Sequence, residues 1–178
     1  MEFYVGATDV ETGEPIYRRC PTAEGTELLD WIRASASMPF VSRVVEIDGK
    51  KLLDGGISDS IPLAYFEQLG YDRNVVVLTQ PAGFVKRPVR GKPFVKLALR
   101  HYPKAAEAML GRHVFYNETL TSIAEKEAAG EIFVIRPDKT LPIGHITHSP
   151  ERLEEVYRLG RTVAERHLAA LQSFLSHA

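Results

Sequence analysis

The sequence predicts an α/β layered fold, with a mainly parallel sheet flanked by helices and a long C-terminal helix. Three observations lead there. Asn74-Val75-Val76-Val77-Leu78-Thr79 and Glu131-Ile132-Phe133-Val134-Ile135 are β-branched, apolar runs with no polar face. Such runs suit strands covered on both sides, as in a parallel sheet. Helical patterns alternate with these strands, which is the signature of layered α/β architecture. Finally, Ser149 as N-cap and Pro150 at the first helical position introduce Leu153, Val156, Tyr157, Val163, Ala164, Leu168, Leu171 and Leu175. Their three- and four-residue steps describe one long amphipathic helix.

The other elements follow in chain order. Residues 2–7 and 16–18 read as short strands around a turn at Thr12-Gly13-Glu14-Pro15. Thr26 caps a helix that carries Leu28, Leu29, Trp31 and Ile32 and stops near Met38, because Pro39 disfavours helical geometry in the residue before it. Val44 to Ile47 and Lys51 to Leu53 flank Asp48-Gly49-Lys50, a turn of hairpin type. Ile61 to Leu69 is helical and ends at Gly70. Between Phe84 and His113 the prolines at 88, 93 and 103 interrupt any long helix. Val114 to Ala129 reads as a helix closed by Gly130. Residues 1–178 are read as a single domain, with 84–113 a basic, Pro-interrupted flap.

The bulk composition mainly excludes. A net charge of -1 gives no reason to expect a nucleic-acid partner. Cys20 is the only cysteine, so no intrachain disulfide or cysteine metal cluster can form. A reducing compartment, the cytoplasm, is the natural expectation. No apolar run approaches the roughly 18 residues that cross a bilayer. The start, Met1-Glu2-Phe3-Tyr4-Val5-Gly6, has no basic flank and is not of signal-peptide type; it reads as a strand entered midway through a fold.

Chemistry concentrates between Ala34 and Pro62. Asp54 closes an apolar strand and is followed by Gly55 and Gly56. Glycine lets the backbone turn sharply and leaves room beside a carboxylate. A carboxylate held at a strand end with open space beside it can accept a proton from a nucleophile. Asp-Gly is equally a common turn dipeptide, so Asp54-Gly55-Gly56 taken alone is also read as turn chemistry.

The wider string resembles the patatin-like phospholipase family, especially its bacterial members. The resemblance runs through Ala34-Ser35-Ala36-Ser37-Met38-Pro39, the hairpin at Asp48-Gly49, Asp54-Gly55-Gly56 and Ile61-Pro62, matching in order and spacing. Ala7-Thr8-Asp9 and Thr12-Gly13-Glu14-Pro15 are similar to the preceding family strand, and Tyr71-Asp72 and the run at 75–79 fit as well. The resemblance implies a lipid acyl hydrolase of the Ser–Asp dyad type, with Asp54 as the base and Gly55, Gly56, Ser35, Ser37 and Pro39 supporting the motif. It implies an acyl-ester lipid substrate, lipid degradation, and catalysis without metal or cofactor. A serine hydroxyl is a poor nucleophile at neutral pH and needs such a base. The oxyanion needs preorganised donors, worth about 3–4 kcal/mol of barrier each.

The family's Gly-x-Ser-x-Gly elbow is absent from these 178 residues. The nearest string, Gly56-Ile57-Ser58-Asp59-Ser60, lacks the second glycine and follows the base immediately. The expectation is a C-terminal portion of a longer enzyme, inactive alone. A noncatalytic binding or dimerising module that retains the hydrolase scaffold is the alternative. So is pairing with a separate chain that carries the serine. A portion opening mid-fold is also expected to leave a sheet edge uncovered and to self-associate there.

Other candidates read more plainly. Ser35 and Ser37 permit close packing, and Asp59 caps the helix near Ile61. His145 and His148 lie three apart without a third ligand, which argues against zinc, and His113 and His167 read as ordinary helix-face residues. Lys86, Arg87, Arg90, Lys92, Lys96, Arg100, Lys104 and Arg112 face a single acid, Glu107, with aromatic and aliphatic residues interleaved. That pattern suits both anionic lipid headgroups at a peripheral membrane contact and a solvated flap.

Overall fold

The computed structural model describes residues 2–20, 26–144 and 147–176. In chain order the elements are β1 (Phe3–Asp9), β2 (Pro15–Cys20), α1 (Thr26–Ser35), β3 (Val45–Ile47), β4 (Lys50–Asp54) and α2 (Leu63–Gln68). They continue with β5 (Asn74–Val77), α3 (Lys92–Ala98), α4 (Pro103–Ala128), β6 (Ile132–Ile135) and α5 (Pro150–Ser176). The chain forms two compact units, Met1–Pro62 with Lys86–Leu120, and Leu63–Val85 with Thr121–Ala178.

The first unit is built on a four-stranded sheet of order β2-β1-β4-β3, and every neighbouring pair in it is antiparallel. This corrects the expectation of a mainly parallel sheet. The reason lies in the connections: β1–β2 and β3–β4 are joined by turns far too short for the crossover that a parallel pair needs. Asp48 and Gly49 both take positive φ, 51° and 73°, as a two-residue hairpin turn of the mirror-image type requires. At the other turn, Gly13 adopts φ 77° and its N–H donates to the Asp9 carbonyl.

β4 is buried on both faces. Leu52 joins Val5, Trp31, Ala34 and Val45 in one apolar cluster under α1. Its neighbour Leu53 points the other way, into a cluster with Val10, Ile57, Val95, Leu99 and Ala105. The central strand therefore lies between helices, although its sheet is antiparallel.

The basic 84–113 segment contains more helix than its prolines suggested. Pro93 sits in the first turn of α3, after Gly91 as N-cap. Pro103 is the first residue of α4, which starts eleven residues before the expected helix at Val114. A proline at that position loses no intrahelical hydrogen bond, since its N–H would be unpaired there anyway. Gly130 closes α4 as expected: its N–H donates to Glu127 and that of Glu131 to Lys126, the paired bonds of a Schellman end. Gly70 does the same for α2.

In the second unit β5 and β6 pair in parallel, Asn74 with Ile132 through Val77 with Ile135. The parallel expectation thus holds for this pair. Coverage of both faces does not: Val76 and Val134 are buried, but Val77 is 70% exposed and Val75 is also open. α5 starts as read, with the Ser149 hydroxyl accepting from the Arg152 N–H. It packs on β6 through Phe133, whose ring lies 5.7 Å from that of Phe174 and 6.1 Å from that of His167. Val163 is buried on this helix, whereas Leu153, Tyr157, Leu168 and Leu175 are exposed. No helix of the described residues is long and apolar enough to cross a membrane.

Candidate active site

Asp54 is the last residue of β4, and three separate segments hold it. Its N–H donates to the Ser37 carbonyl at 2.9 Å. Its carbonyl accepts from the Thr8 hydroxyl at 2.8 Å. Its Oδ1 accepts from the Gly56 N–H at 2.7 Å, capping the short 3-10 turn Gly55–Ile57. The side chain is half-buried, and among the described residues no ion pair includes it. The carboxylate is therefore aimed by backbone groups, and it is neither sealed in the core nor neutralised by a salt bridge.

Each motif residue has a physical function in that arrangement. Gly55 is buried, and a Cβ there would lie 2.5 Å from the Gly6 carbonyl oxygen, so β1 can approach only a glycine. A Cβ on Gly56 would meet Arg112 Nη2 at 3.0 Å and Asp54 Oδ1 at 3.1 Å. Ser37 is buried, with its hydroxyl donating to the Arg33 carbonyl at 2.7 Å, so α1 presents the Ser37 carbonyl to Asp54. Pro39 is buried and Ser35 half-buried in the same small-residue segment. Phe40, which follows, takes φ 73°, a left-handed conformation that is rare for an aromatic residue. Asp59 accepts from the Ile61 N–H at 3.0 Å and from the Tyr17 hydroxyl. It caps the approach to α2, which itself begins two residues later at Leu63.

Two contributors went unread in the sequence. Thr8 is fully buried; besides Asp54, its hydroxyl meets Ser58 Oγ at 2.8 Å and accepts from the Ser58 N–H at 3.3 Å. It joins both ends of the Asp54 turn to β1. A threonine within the strand Phe3–Asp9 carries no sequence signal of this role, because its partners Asp54 and Ser58 are 46 and 50 residues away. The second is Arg112, whose Nε donates to Ser60 Oγ at 3.2 Å, while the Ser60 hydroxyl donates to the Gly56 carbonyl at 2.9 Å. Extending the helix back to Pro103 would have found it, since Ala105, Met109, Arg112 and Tyr116 recur on one face.

The basic residues divide by position. Arg87, Arg90, Lys92, Lys96 and Arg100 are exposed. Lys86 is half-buried: its backbone N–H and carbonyl are clamped by the Asn117 side-chain amide, at 2.8 and 3.0 Å, and its ammonium lies 4.5 Å from the Tyr116 ring centre. Burial, reinforced by the nearby Arg112 charge, holds that ammonium below the usual lysine range. Burial also pushes the Tyr116 phenol above its ordinary value. A cavity of about 690 Å³ opens between the β1–β2 turn and the start of α4, bounded by Glu14, Ser58, Lys104, Glu107 and Phe115. Asp54 does not line it. His113 and His167 each bond a carbonyl of their own helix, Leu110 and Val163. His145 lies outside the described residues, and among those described no three His, Cys, Asp or Glu side chains group to hold a metal.

Comparison with known proteins divides the chain in two. Residues 3–67 match the patatin-like phospholipase family, so the resemblance read from the Asp54 region is borne out over that segment. Residues 102–176 match a domain of unknown function, DUF6363. The chain is 29% identical over 161 residues to the uncharacterized protein YjjU of Escherichia coli strain K12, an alignment that covers 83% of this chain. The chain spans 42% of that relative's length. Residues 3–67 thus carry a patatin-like segment with its Asp-Gly-Gly string and, as the sequence shows, without a Gly-x-Ser-x-Gly elbow.

The glycine geometry predicts a stability contrast. Gly55→Ala, forced against the Gly6 carbonyl, is expected to cost about 3 kcal/mol as an overpacking change. Gly49→Ala, which meets nothing within 4 Å but keeps a positive φ, should cost about 1 kcal/mol. Urea unfolding of both variants measures the difference; equal losses would mean that the Gly6–Gly55 approach does not constrain the turn.

Proposed function

We propose that this chain supplies the aspartate of a Ser–Asp acyl hydrolase acting on ester lipids, with Asp54 as the general base. The supporting observation is the Asp54 carboxylate itself, held by the Gly56 N–H at a strand end, half-exposed and outside any ion pair among the described residues. The serine comes from a segment or partner beyond these 178 residues. In the reaction, the serine oxygen bonds to the ester carbonyl carbon while its proton passes to Asp54. Collapse of the tetrahedral intermediate breaks the ester C–O bond, and Asp54 returns the proton to the departing alcohol. Water then bonds to the acyl carbon while its proton passes to Asp54, and Asp54 returns that proton to the serine oxygen as the acyl–serine C–O bond breaks and the acid leaves. This chain's contribution is a base whose direction is fixed before substrate arrives, and positioned proton transfer supplies about 10²–10⁴-fold.

The 178-residue chain alone should not turn over p-nitrophenyl butyrate. Expressed with the preceding coding sequence, where an in-frame Gly-x-Ser-x-Gly is expected, the protein should hydrolyse it. Asp54→Asn should then lower kcat by about 10²–10⁴-fold. Full activity in that variant would remove Asp54 from the chemistry.

The substrate is proposed to reside in a membrane surface, with a peripheral and cytoplasmic location for the chain. Phe94 and Leu97 are each 62% exposed on α3 beside Lys92 and Lys96, and Phe40 packs on Phe94 with ring centres 5.2 Å apart. Apolar groups flanked by cations suit insertion among anionic headgroups. Binding to vesicles should rise with phosphatidylglycerol content, fall with salt, and drop several-fold in Phe94→Ser. Equal binding to neutral vesicles at all salt concentrations would remove the electrostatic part.

A second reading, a noncatalytic module that self-associates, draws on the open apolar positions of the second unit, Val75 and Val77 on β5 and Leu153 and Tyr157 on α5. Uncovered apolar faces favour association with a second copy. Sedimentation velocity between about 1 and 100 µM should then show a concentration-dependent dimer, and Val77→Asp should dissociate it. A monomer throughout that range would overturn this reading.

A further inference from the structure

Among the described cations of the first unit three are half-buried, Lys51, Lys86 and Arg112, and of these Lys51 is paired with Glu11. The other two are both anchored, and among the described residues neither belongs to an ion pair. Arg112 is fixed through Nε on Ser60, which places Nη2 against Gly56, on the same side of that residue as Asp54 Oδ1. Lys86 is fixed by the Asn117 clamp on its backbone, and its ammonium lies 4.5 Å from the ring centre of Tyr116, one turn beyond Arg112 on the same face of α4. Two half-buried cations, neither ion-paired with a carboxylate of the described residues, are an unfavourable arrangement that a bound anion relieves. A guanidinium with free N–H groups beside an ammonium also matches a phosphate, which accepts charge-assisted bonds on several oxygens.

We propose that Arg112 and Lys86 form a receptor for a phosphate group carried by the substrate, next to Asp54, with Ser60 and the Gly56 carbonyl it bonds holding Arg112 in place. This rests on the acyl-ester hydrolase reading and adds to it the residues that would hold a substrate's phosphate. Arg112 lies outside the segment that matches the patatin-like family and inside the DUF6363 match. The receptor therefore draws on both matched segments: the turn after Asp54 positions Arg112 through Ser60, and α4 supplies Arg112 itself, with Lys86 from the stretch between them. Neither cation forms or breaks a bond to the reacting carbonyl; they hold the substrate's phosphate so that its ester faces Asp54.

The test uses the 178-residue chain and needs no turnover. Inorganic phosphate and dimethyl phosphate, the latter a diester like a lipid headgroup linkage, are titrated while backbone amide and arginine side-chain resonances are followed. Saturable shifts centred on Gly56, Ser60 and Arg112 are expected. Arg112→Gln should weaken binding at least tenfold, Lys86→Gln several-fold, and Arg112→Lys less than Arg112→Gln. The exposed-site variants Arg87→Gln and Arg90→Gln should leave affinity unchanged. Asp54→Asn, which removes a neighbouring negative charge, should tighten binding. Dimethyl phosphate binding supports a lipid diester as the source, and binding of inorganic phosphate alone supports a water-soluble phosphate ester; both retain the receptor. Absence of saturable binding by either probe, or equal weakening by Arg87→Gln and Arg112→Gln, overturns it. Urea midpoints of the variants separate lost binding from lost folding. Phosphate binding without hydrolysis in the serine-bearing protein removes the ester chemistry and leaves the receptor; hydrolysis without phosphate binding does the reverse.

Discussion

The first unit depends on how closely β1 runs against the turn that follows β4. The Gly6 carbonyl occupies the space that any side chain at Gly55 would need, and two residues further on the Thr8 hydroxyl bonds both Asp54 and Ser58. A buried hydroxyl of this kind must be paired, because leaving one unsatisfied costs about 1–3 kcal/mol. The strand and the turn consequently hold one another in place. The direction of the Asp54 carboxylate then follows from backbone geometry rather than from a counter-ion. Ser37, at the end of α1, completes the frame by accepting the Asp54 N–H.

Local chemistry was legible where it was settled by neighbours in sequence. Asp48-Gly49, the glycine ends at Gly70 and Gly130, and the Ser149-Pro150 start of α5 all read correctly, because caps and two-residue turns depend on a few adjacent residues. Strand direction in the main sheet did not read correctly. Pairing of β1 with β4 joins residues 43 to 47 positions apart, Asp9 with Leu52 through Ala7 with Asp54, and an apolar strand carries no mark of its partner's direction. The apolar run at 74–79 did predict a parallel neighbour, yet the outward side of Val75 and Val77 is uncovered among the described residues. Pro103 misled for a different reason: it stops a helix when it lies inside one and starts one when it lies first. Missing that start hid eleven residues of α4, and with them the helical face that carries Arg112.

The basic segment shows how one composition serves several ends. Val95 and Leu99 enter the core against Leu53 and Val10, whereas Phe94 and Leu97, one residue before Val95 and two after it, face outward among lysines. On a short helix such alternation separates a packing face from a solvent face. Lys86 belongs to neither, since its backbone is tied to Asn117 and its ammonium is partly withdrawn from water. Counting charges along the segment merges these positions; burial separates them. For this reason the proposed lipid-facing surface and the proposed anion receptor are separate features of one stretch of chain.

Asp54 and Arg112 carry opposite charges on the same side of Gly56, yet they do not close into an ion pair among the described residues. Each is tied to a different point on that glycine: Asp54 Oδ1 takes the Gly56 N–H, and Ser60, which receives Arg112 Nε, donates its own proton to the Gly56 carbonyl. A direct salt bridge would use the carboxylate's accepting capacity and the guanidinium's donors on each other. Spacing them around a residue without a side chain leaves the carboxylate available to a proton and the guanidinium available to an anion. Adding even a methyl group at Gly56 would press on both groups, at 3.1 and 3.0 Å. The second glycine of the Asp-Gly-Gly string therefore has a role distinct from the first. Gly55 admits the neighbouring strand, and Gly56 keeps two opposite charges close without letting them neutralise.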